Sequence, residues 1–212
     1  MQTVLAALAI ATTGCFPQFG TDGNDTIVAA DSCNATLVGL GGDDVLIGGD
    51  GDDVLWGDAC GADTSGGDCK NGADTLTGGG GINAFGFNKA KESFGATTDT
   101  ITDFVPGTDV IAMAGVCRKA NVSCTFIGTA AFDGVPGEVN YRITFQPAFR
   151  PPYRANGTAV TVIQAALDGD GQPDFSVNLL GNLTLSASDF LFNSYPPADM
   201  GAWGALNHRR RK

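Results

Sequence analysis

Gly39-Leu40-Gly41-Gly42-Asp43-Asp44-Val45-Leu46-Ile47 runs directly into Gly48-Gly49-Asp50-Gly51-Asp52-Asp53-Val54-Leu55-Trp56. The two blocks repeat one nine-residue template, Gly-Gly-x-Gly-x-Asp-x-apolar-x. Outward from this pair, Gly23-Asn24-Asp25-Thr26-Ile27 precedes it, Gly72-Ala73-Asp74-Thr75-Leu76 follows, and Gly81-Ile82-Asn83-Ala84-Phe85 closes the run. Degenerate copies are read at Asn34 and at Gly61-Ala62-Asp63-Thr64. The sixth position of the template then falls at 25, 34, 44, 53, 63, 74 and 83, at intervals of 9, 10, 9, 10, 11 and 9. A period this regular predicts a stacked solenoid.

The first six residues of each repeat are rich in Gly and Asp, which tolerate positive φ and close tight turns. The last three predict a very short strand with one apolar residue pointing inward: Ile27, Leu46, Leu55, Leu76 and Phe85. Two repeats make one coil with a strand on each side, and stacked coils give two parallel sheets around a thin apolar core. The turns then carry the carboxylates of Asp25, Asp44, Asp53, Asp63 and Asp74 in rows spaced by roughly 4.8 Å. Like charges that close repel, and a hard divalent cation between coils reverses the sign of the interaction. Calcium fits because it accepts six to eight oxygens, turn carbonyls included, in flexible geometry. Magnesium asks for stricter octahedral geometry, and zinc asks for His or Cys, which these turns do not supply. The expected ligand set in the turns is Asp25, Asp43, Asp44, Gly48, Asp50, Gly51, Asp52, Asp53, Asp63, Asp74 and Asn83.

Composition agrees. The chain has 21 Asp but only two Glu, Glu92 and Glu138, and twelve of the Asp lie between residues 20 and 83, where Lys70 is the lone basic residue. A merely solvated acidic surface would use both acids more evenly. A Gly/Asp-rich disordered linker has no reason to keep an apolar residue two places after each Asp.

The repeats resemble the RTX nonapeptide family. The segment after them, Asp99-Thr-Ile101-Thr-Asp103-Phe104-Val-Pro-Gly107-Thr-Asp109-Val-Ile111, is similar to the C-terminal domain of serralysin-type metalloproteases. So are Leu167-Asp168-Gly-Asp170-Gly-Gln-Pro-Asp174-Phe175, Leu180-Gly181 and Ser188-Asp189-Phe190-Leu191, and the resemblance spans about residues 20 to 192. It implies an all-β fold, a parallel β-roll capped by a β-sandwich-like C-terminal region. It also implies secretion and folding driven by extracellular calcium. Three features depart from the family. No His-Glu-x-x-His motif is present, six cysteines occur where the family has few, and about twenty residues follow the Asp-Phe-Leu segment.

The expected organisation is an N-terminal segment 1–19, a calcium-binding roll 20–86, a capping region 87–193 and a polar basic tail 194–212. Residues 1–15 have two readings: an export or lipoprotein-type signal ending at Cys15, or a chain start inside a longer protein. Cys60 with Cys69, and Cys117 with Cys124, bracket short loops and suit disulfides in an oxidising compartment, with Cys15–Cys33 a third possible bridge. From residue 84 onward, short alternating stretches at 100–104, 141–145, 160–164 and 175–179 predict strands that cover the open solenoid end, with no long helix. Asp168, Asp170 and Asp174 read either as the start of a calcium loop or as a polar hairpin turn. Asp99, Asp103 and Asp109 read as pins between cap and roll.

The net charge of −11 argues against nucleic acid and anionic lipid as partners, and no apolar run is long enough to span a bilayer. Triad and zinc chemistry lack their histidines, because the single His208 lies in the polar tail. The leading expectation is therefore a secreted, non-catalytic calcium-binding module, either standing alone or as part of a larger secreted protease. The alternatives are a calcium-rigidified cell-surface lipoprotein that binds a surface or carbohydrate ligand, and, less favoured, a two-carboxylate secreted hydrolase.

Overall fold

A computed structural model describes residues 9–11, 16–30, 32–58, 71–146 and 158–194. Strands appear in the order β1 (Ala9–Ala11), β2 (Gln18–Phe19), β3 (Thr26–Val28), β4 (Thr36–Val38), β5 (Val45–Ile47), β6 (Val54–Trp56), β7 (Thr75–Thr77) and β8 (Ala84–Gly86). They continue as β9 (Thr100–Ile101), β10 (Val110–Ala112), β11 (Thr125–Phe126), β12 (Glu138–Gln146), β13 (Thr158–Ala166), β14 (Phe175–Leu180) and β15 (Phe190–Leu191). Among the described residues one α-helix, α1 (Ala114–Lys119), lies between β10 and β11.

Successive repeats alternate between two sheets. One sheet runs β1-β3-β5-β7-β9-β14-β13-β12-β11, and the other runs β15-β10-β8-β6-β4-β2. Every pairing from β1 through β10 is parallel. The central residue of each three-residue strand points inward. Ile27, Leu46, Leu76 and Ile101 stack in register in one sheet, facing Leu37, Leu55, Phe85 and Ile111 in the other, and all eight are fully buried. Their flanks in the first sheet, among them Thr26, Val45 and Thr75, are half-exposed. A strand of three residues buries little by itself, so the coil is stable only through its neighbours above and below. Replacing Leu46 with Ala is expected to cost about 2–5 kcal/mol through lost burial and an unfilled cavity. Val45→Ala, on the outward face, is expected to cost less than about 1 kcal/mol. Denaturant unfolding in calcium-containing buffer checks the pair.

Two template copies depart from the expected phase. β4 follows Ala35, and Leu37 pairs with Leu55, so the sixth position of that repeat is Ala35 and not Asn34. Asn34 occupies the fifth position, and its carboxamide Oδ1 accepts the Asp52 N–H at 3.0 Å. The apolar residue two places after the aspartate position is the reliable phase marker, and here it is Leu37. The copy around Asp63 lies outside the described residues. β5 pairs directly with β7, and β6 with β8.

The C-terminal region prolongs the roll's own sheets where a sandwich-like cap was expected. β14 joins β9 in parallel, and the antiparallel β13 and β12 extend the same sheet. β15 joins β10 and completes the other sheet. A growing edge is most directly satisfied by further strands, which pair its open N–H and C=O groups. Phe87, Phe175, Val177, Leu179, Met113, Val116 and Phe190 continue the apolar core into this region. The Cys117–Cys124 disulfide, with Cα atoms 5.7 Å apart, closes the loop after α1 as the spacing predicts. Cys33 is also disulfide-bonded, whereas Cys15, Cys60 and Cys69 lie outside the described residues.

Candidate metal centre

The sixth-position side chains form a ladder along each edge of the roll. On one edge, Asp44 Oδ1 accepts the Asp25 N–H, Asp74 Oδ1 accepts the Asp44 N–H and Asp99 Oδ1 accepts the Asp74 N–H, each at 2.8 Å. On the other, Asp53 Oδ1 accepts the Ala35 N–H, Asn83 Oδ1 the Asp53 N–H and Asp109 Oδ1 the Asn83 N–H, at 2.7 to 3.1 Å. Each coil thus reaches back to the one before it. The fifth-position residues reach the other way. Asn24 Oδ1 accepts the Asp43 N–H and Asp43 Oδ1 the Ala73 N–H, while Asp52 Oδ1 accepts the Ile82 N–H. Asp43 is exposed and spends one oxygen on this second ladder, as does the half-exposed Asp52, and Asp50 is exposed beside Gly80.

In Asp44, Asp53, Asp74, Asp99 and Asp109 one carboxylate oxygen serves the ladder, which leaves the other. Asp53 Oδ2 accepts the Gly49 N–H at 2.8 Å and Asp109 Oδ2 accepts the Val105 N–H at 2.8 Å. Asp44 Oδ2 and Asp74 Oδ2 are buried and accept no hydrogen bond. Burying a bare carboxylate oxygen costs several kcal/mol unless a charge or donor answers it. Both oxygens point into spaces that only glycine leaves open. A Cβ on Gly39 would strike Asp44 Oδ2 and the Gly57 carbonyl oxygen of the next coil, and a Cβ on Gly57 would strike Asp74 Oδ2. Gly48 forms the same kind of cradle, between Asp53 Oδ2 and the Gly78 carbonyl. Gly51, named in the expected set, instead sits against the Cys33 carbonyl.

The Gly39 and Gly48 cradles pair a carboxylate oxygen with a carbonyl oxygen from the neighbouring coil, a hard all-oxygen donor set. Among the described residues no three of His, Cys, Asp and Glu converge on one point, so main-chain carbonyls must complete any coordination shell. The site therefore fits calcium and gives zinc no purchase.

The electrostatics point the same way. Burial pushes the Asp44 carboxyl up to about 7, with Asp74, Asp25 and Asp43 adding to the rise. Burial pushes Asp74 up to about 6, and Asp53 and Asp109 also rise through burial. Buried carboxylates on adjacent coils raise one another because no positive charge separates them.

The same region holds two carboxylates outside the repeat template, which the sequence reading missed as site residues. Asp58 and Glu92 are 2% and 1% exposed, and Asp58 Oδ1 and Glu92 Oε1 are buried without a hydrogen bond. Burial and the charges of Asp74 and Glu92 push Asp58 up to about 9, and burial pushes Glu92 up to about 7. Asp99, raised well above its usual range by burial and by Asp74, also faces Asp58 and Glu92. Asp58 stands where the template asks for glycine, and Glu92 is one of only two glutamates, which are the sequence signals that could have found them. Asp99 and Asp109 carry the Asp-x-apolar signature, with Ile101 and Ile111, and continue the two ladders. Asp103 pins the last glycine turn by accepting the Gly78 and Gly79 N–H groups.

The later aspartates are arranged differently. Asp168 Oδ1 accepts the Asp170 N–H, Asp170 Oδ1 accepts the Gln172 N–H, and Asp174 Oδ2 accepts the Leu167 N–H. They close the turn between β13 and β14, away from the cradles. Asp63 lies outside the described residues.

Comparison with known proteins places this geometry. The solution structure of the AlgE6R2 subunit from the Azotobacter vinelandii mannuronan C5-epimerase is similar at 23% identity and a TM-score of 0.53, covering 86% of this chain and 96% of that one. The AlgE6R3 subunit of the same enzyme is similar at 22% identity and a TM-score of 0.47, covering 91% of this chain and 88% of that one. The first likeness shows a shared fold. No curated protein matches the chain. The model of the Peptidase M10 serralysin C-terminal family matches residues 12–192, the C-terminal region of those proteases and not their catalytic domain, and the chain belongs to that family.

Proposed function

We propose that this chain is a secreted, non-catalytic calcium-binding module whose roll folds as calcium fills its turns. The observation that carries the reading is the pair of buried oxygens Asp44 Oδ2 and Asp74 Oδ2, each without a hydrogen bond and each in a glycine cradle. Bound calcium would supply the positive charge that lets neighbouring carboxylates ionise together.

Asp25, Asp44, Asp53, Asp74 and Asn83 would present side-chain oxygens from the two ladders, and Gly48 and Gly51 would contribute turn carbonyls. Asp43, Asp50 and Asp52 line the outer turn, where the second ladder holds the backbone in place. Asp58, Glu92 and Asp99 extend the acidic row at the coil that carries the insertion. Asp168, Asp170 and Asp174 would bind no ion in this reading, because they stand apart from both ladders, in the turn between β13 and β14. Binding to the folded state alone adds stability with each ion by mass action.

The test is an ion count by native mass spectrometry together with circular dichroism on Asp44→Asn. The substitution removes one charge and keeps the shape. The calcium-loaded variant is expected to bind at least one ion fewer and the calcium-free variant to be more ordered than the parent. A parent chain that binds no calcium, or a variant with an unchanged count, would refute the proposal.

A further inference from the structure

The nine-stranded sheet ends on an edge that nothing among the described residues fully covers. β11 pairs with β12 only at Thr125–Glu138 and Phe126–Val139. The chain beyond β11 then follows the edge as far as Tyr141, through Ile127 N–H to the Val139 carbonyl and Tyr141 N–H to the Gly128 carbonyl. The other side of β12 is fully paired with β13, from Glu138 to Gln146. By the two-residue alternation of an antiparallel strand, the N–H and C=O groups of Ile143 and Phe145 project from the free edge, as those of Val139 and Tyr141 do. The side chains of Ile143 and Phe145 are 41% and 69% exposed. Pro147, which has no N–H, follows the strand. The open stretch is therefore Arg142–Gln146.

Natural edges of this kind are protected by lysine, proline, a bulge or an inward charge. This one has none between Ile143 and Gln146, and it presents two bare apolar side chains on one face.

We propose that this edge pairs with the same edge of a second copy of the chain, antiparallel and centred on Thr144. In that register Ile143 faces Phe145 of the partner copy and Phe145 faces its Ile143, so four backbone hydrogen bonds form about a two-fold axis. A two-fold contact must be self-complementary, and this register is. Arg142 falls opposite Gln146 and not opposite its own twin, and the two Ile–Phe pairs lie on one face as cross-strand neighbours. Charge selects the place. The chain carries a net charge of −11, but residues 139–146 contain no Asp or Glu. Two copies meet at this strip without the acid–acid repulsion that the roll's edges would impose. Thr144 faces Thr144 of the partner copy as a non-hydrogen-bonded pair, with Cα atoms about 4.5 Å apart.

The test is light scattering coupled to size exclusion on the full chain in calcium-saturated buffer, across the micromolar to sub-millimolar range. The parent is expected to reach twice the monomer mass. Ile143→Lys and Phe145→Lys, both at exposed positions, are expected to stay at monomer mass with unchanged circular dichroism. Thr144→Cys is expected to give a disulfide-linked dimer on mild oxidation, visible on a non-reducing gel. A parent that stays monomeric throughout overturns the inference. So does a dimer that survives both lysine variants, a parent dimer whose Thr144→Cys variant does not cross-link, or a mass that shows a different chain bound at the edge.

Discussion

Stripping calcium from the folded chain at neutral pH is expected to abolish most of its far-ultraviolet β signal in one cooperative step and to expand it in small-angle scattering. Asp44, Asp58, Asp74, Glu92 and Asp99 are all buried, and each has a neighbour of the same sign. Without a cation these groups must either ionise against one another or take up protons. Strands of three residues have no reserve of local stability to hold against that.

The pH dependence follows from the direction of the shifts. Asp44 at about 7, Asp74 at about 6, Asp58 at about 9 and Glu92 at about 7 all lie above their ordinary values of 3.8 and 4.5. Between those limits the folded chain binds more protons than the unfolded one, so its stability falls as pH rises. The calcium-free roll is therefore most stable below the unfolded carboxyl range, at about pH 4 or lower, and least stable near pH 9. With calcium present the trend reverses across the neutral range, because protons compete with the ion for the same oxygens. Circular dichroism at several pH values, with chelator and with excess calcium, reads both trends. A chelated chain that keeps its signal at pH 8 would sink the account, as would one that loses it further on acidification to pH 5.

Gly39→Ala is expected to be among the most damaging single-methyl changes in the roll. The added Cβ would meet Asp44 Oδ2 on one side and the Gly57 carbonyl on the other, two oxygens of the proposed cradle. Neither can move far. Asp44 is held by the Asp25 N–H, and the Gly57 carbonyl accepts the Leu40 N–H at 3.0 Å. Overpacking of this kind costs about 1–3 kcal/mol. If folding is coupled to the binding of n ions, as proposed, that cost raises the calcium midpoint by about the nth root of 5- to 150-fold. Gly23→Ala is the control. Its Cβ would approach only the Thr21 hydroxyl, at 3.8 Å. Calcium titrations of the two variants by circular dichroism should separate clearly, and equal midpoints would show that the Gly39 space is not part of the site.

The repeat made most of the roll legible. The inward column of Ile27, Leu46, Leu55, Leu76 and Phe85 follows from placing one apolar residue two places after each aspartate, and the parallel stacking follows from the period. The phase failed at Asn34, where the aspartate position holds Ala35 and only Leu37 marks the register. The copy around Asp63 lies outside the described residues. Local pattern measures what a segment could form, and the ladder decides the phase it takes.

By itself, the order of residues determined the coil, its inward residues and the carboxylates on most of the turns, because these depend only on contacts between neighbouring repeats of one template. The tertiary structure alone decided three things. It joined Asp58 and Glu92 to the acidic row, although 34 residues separate them. It left Asp44 Oδ2 and Asp74 Oδ2 bare while Asp53 and Asp109 were satisfied. It built the end of the roll by extending the existing sheets. Each of these depends on which groups are brought together, and at what depth, by coils far apart in the chain, and no local spacing encodes that.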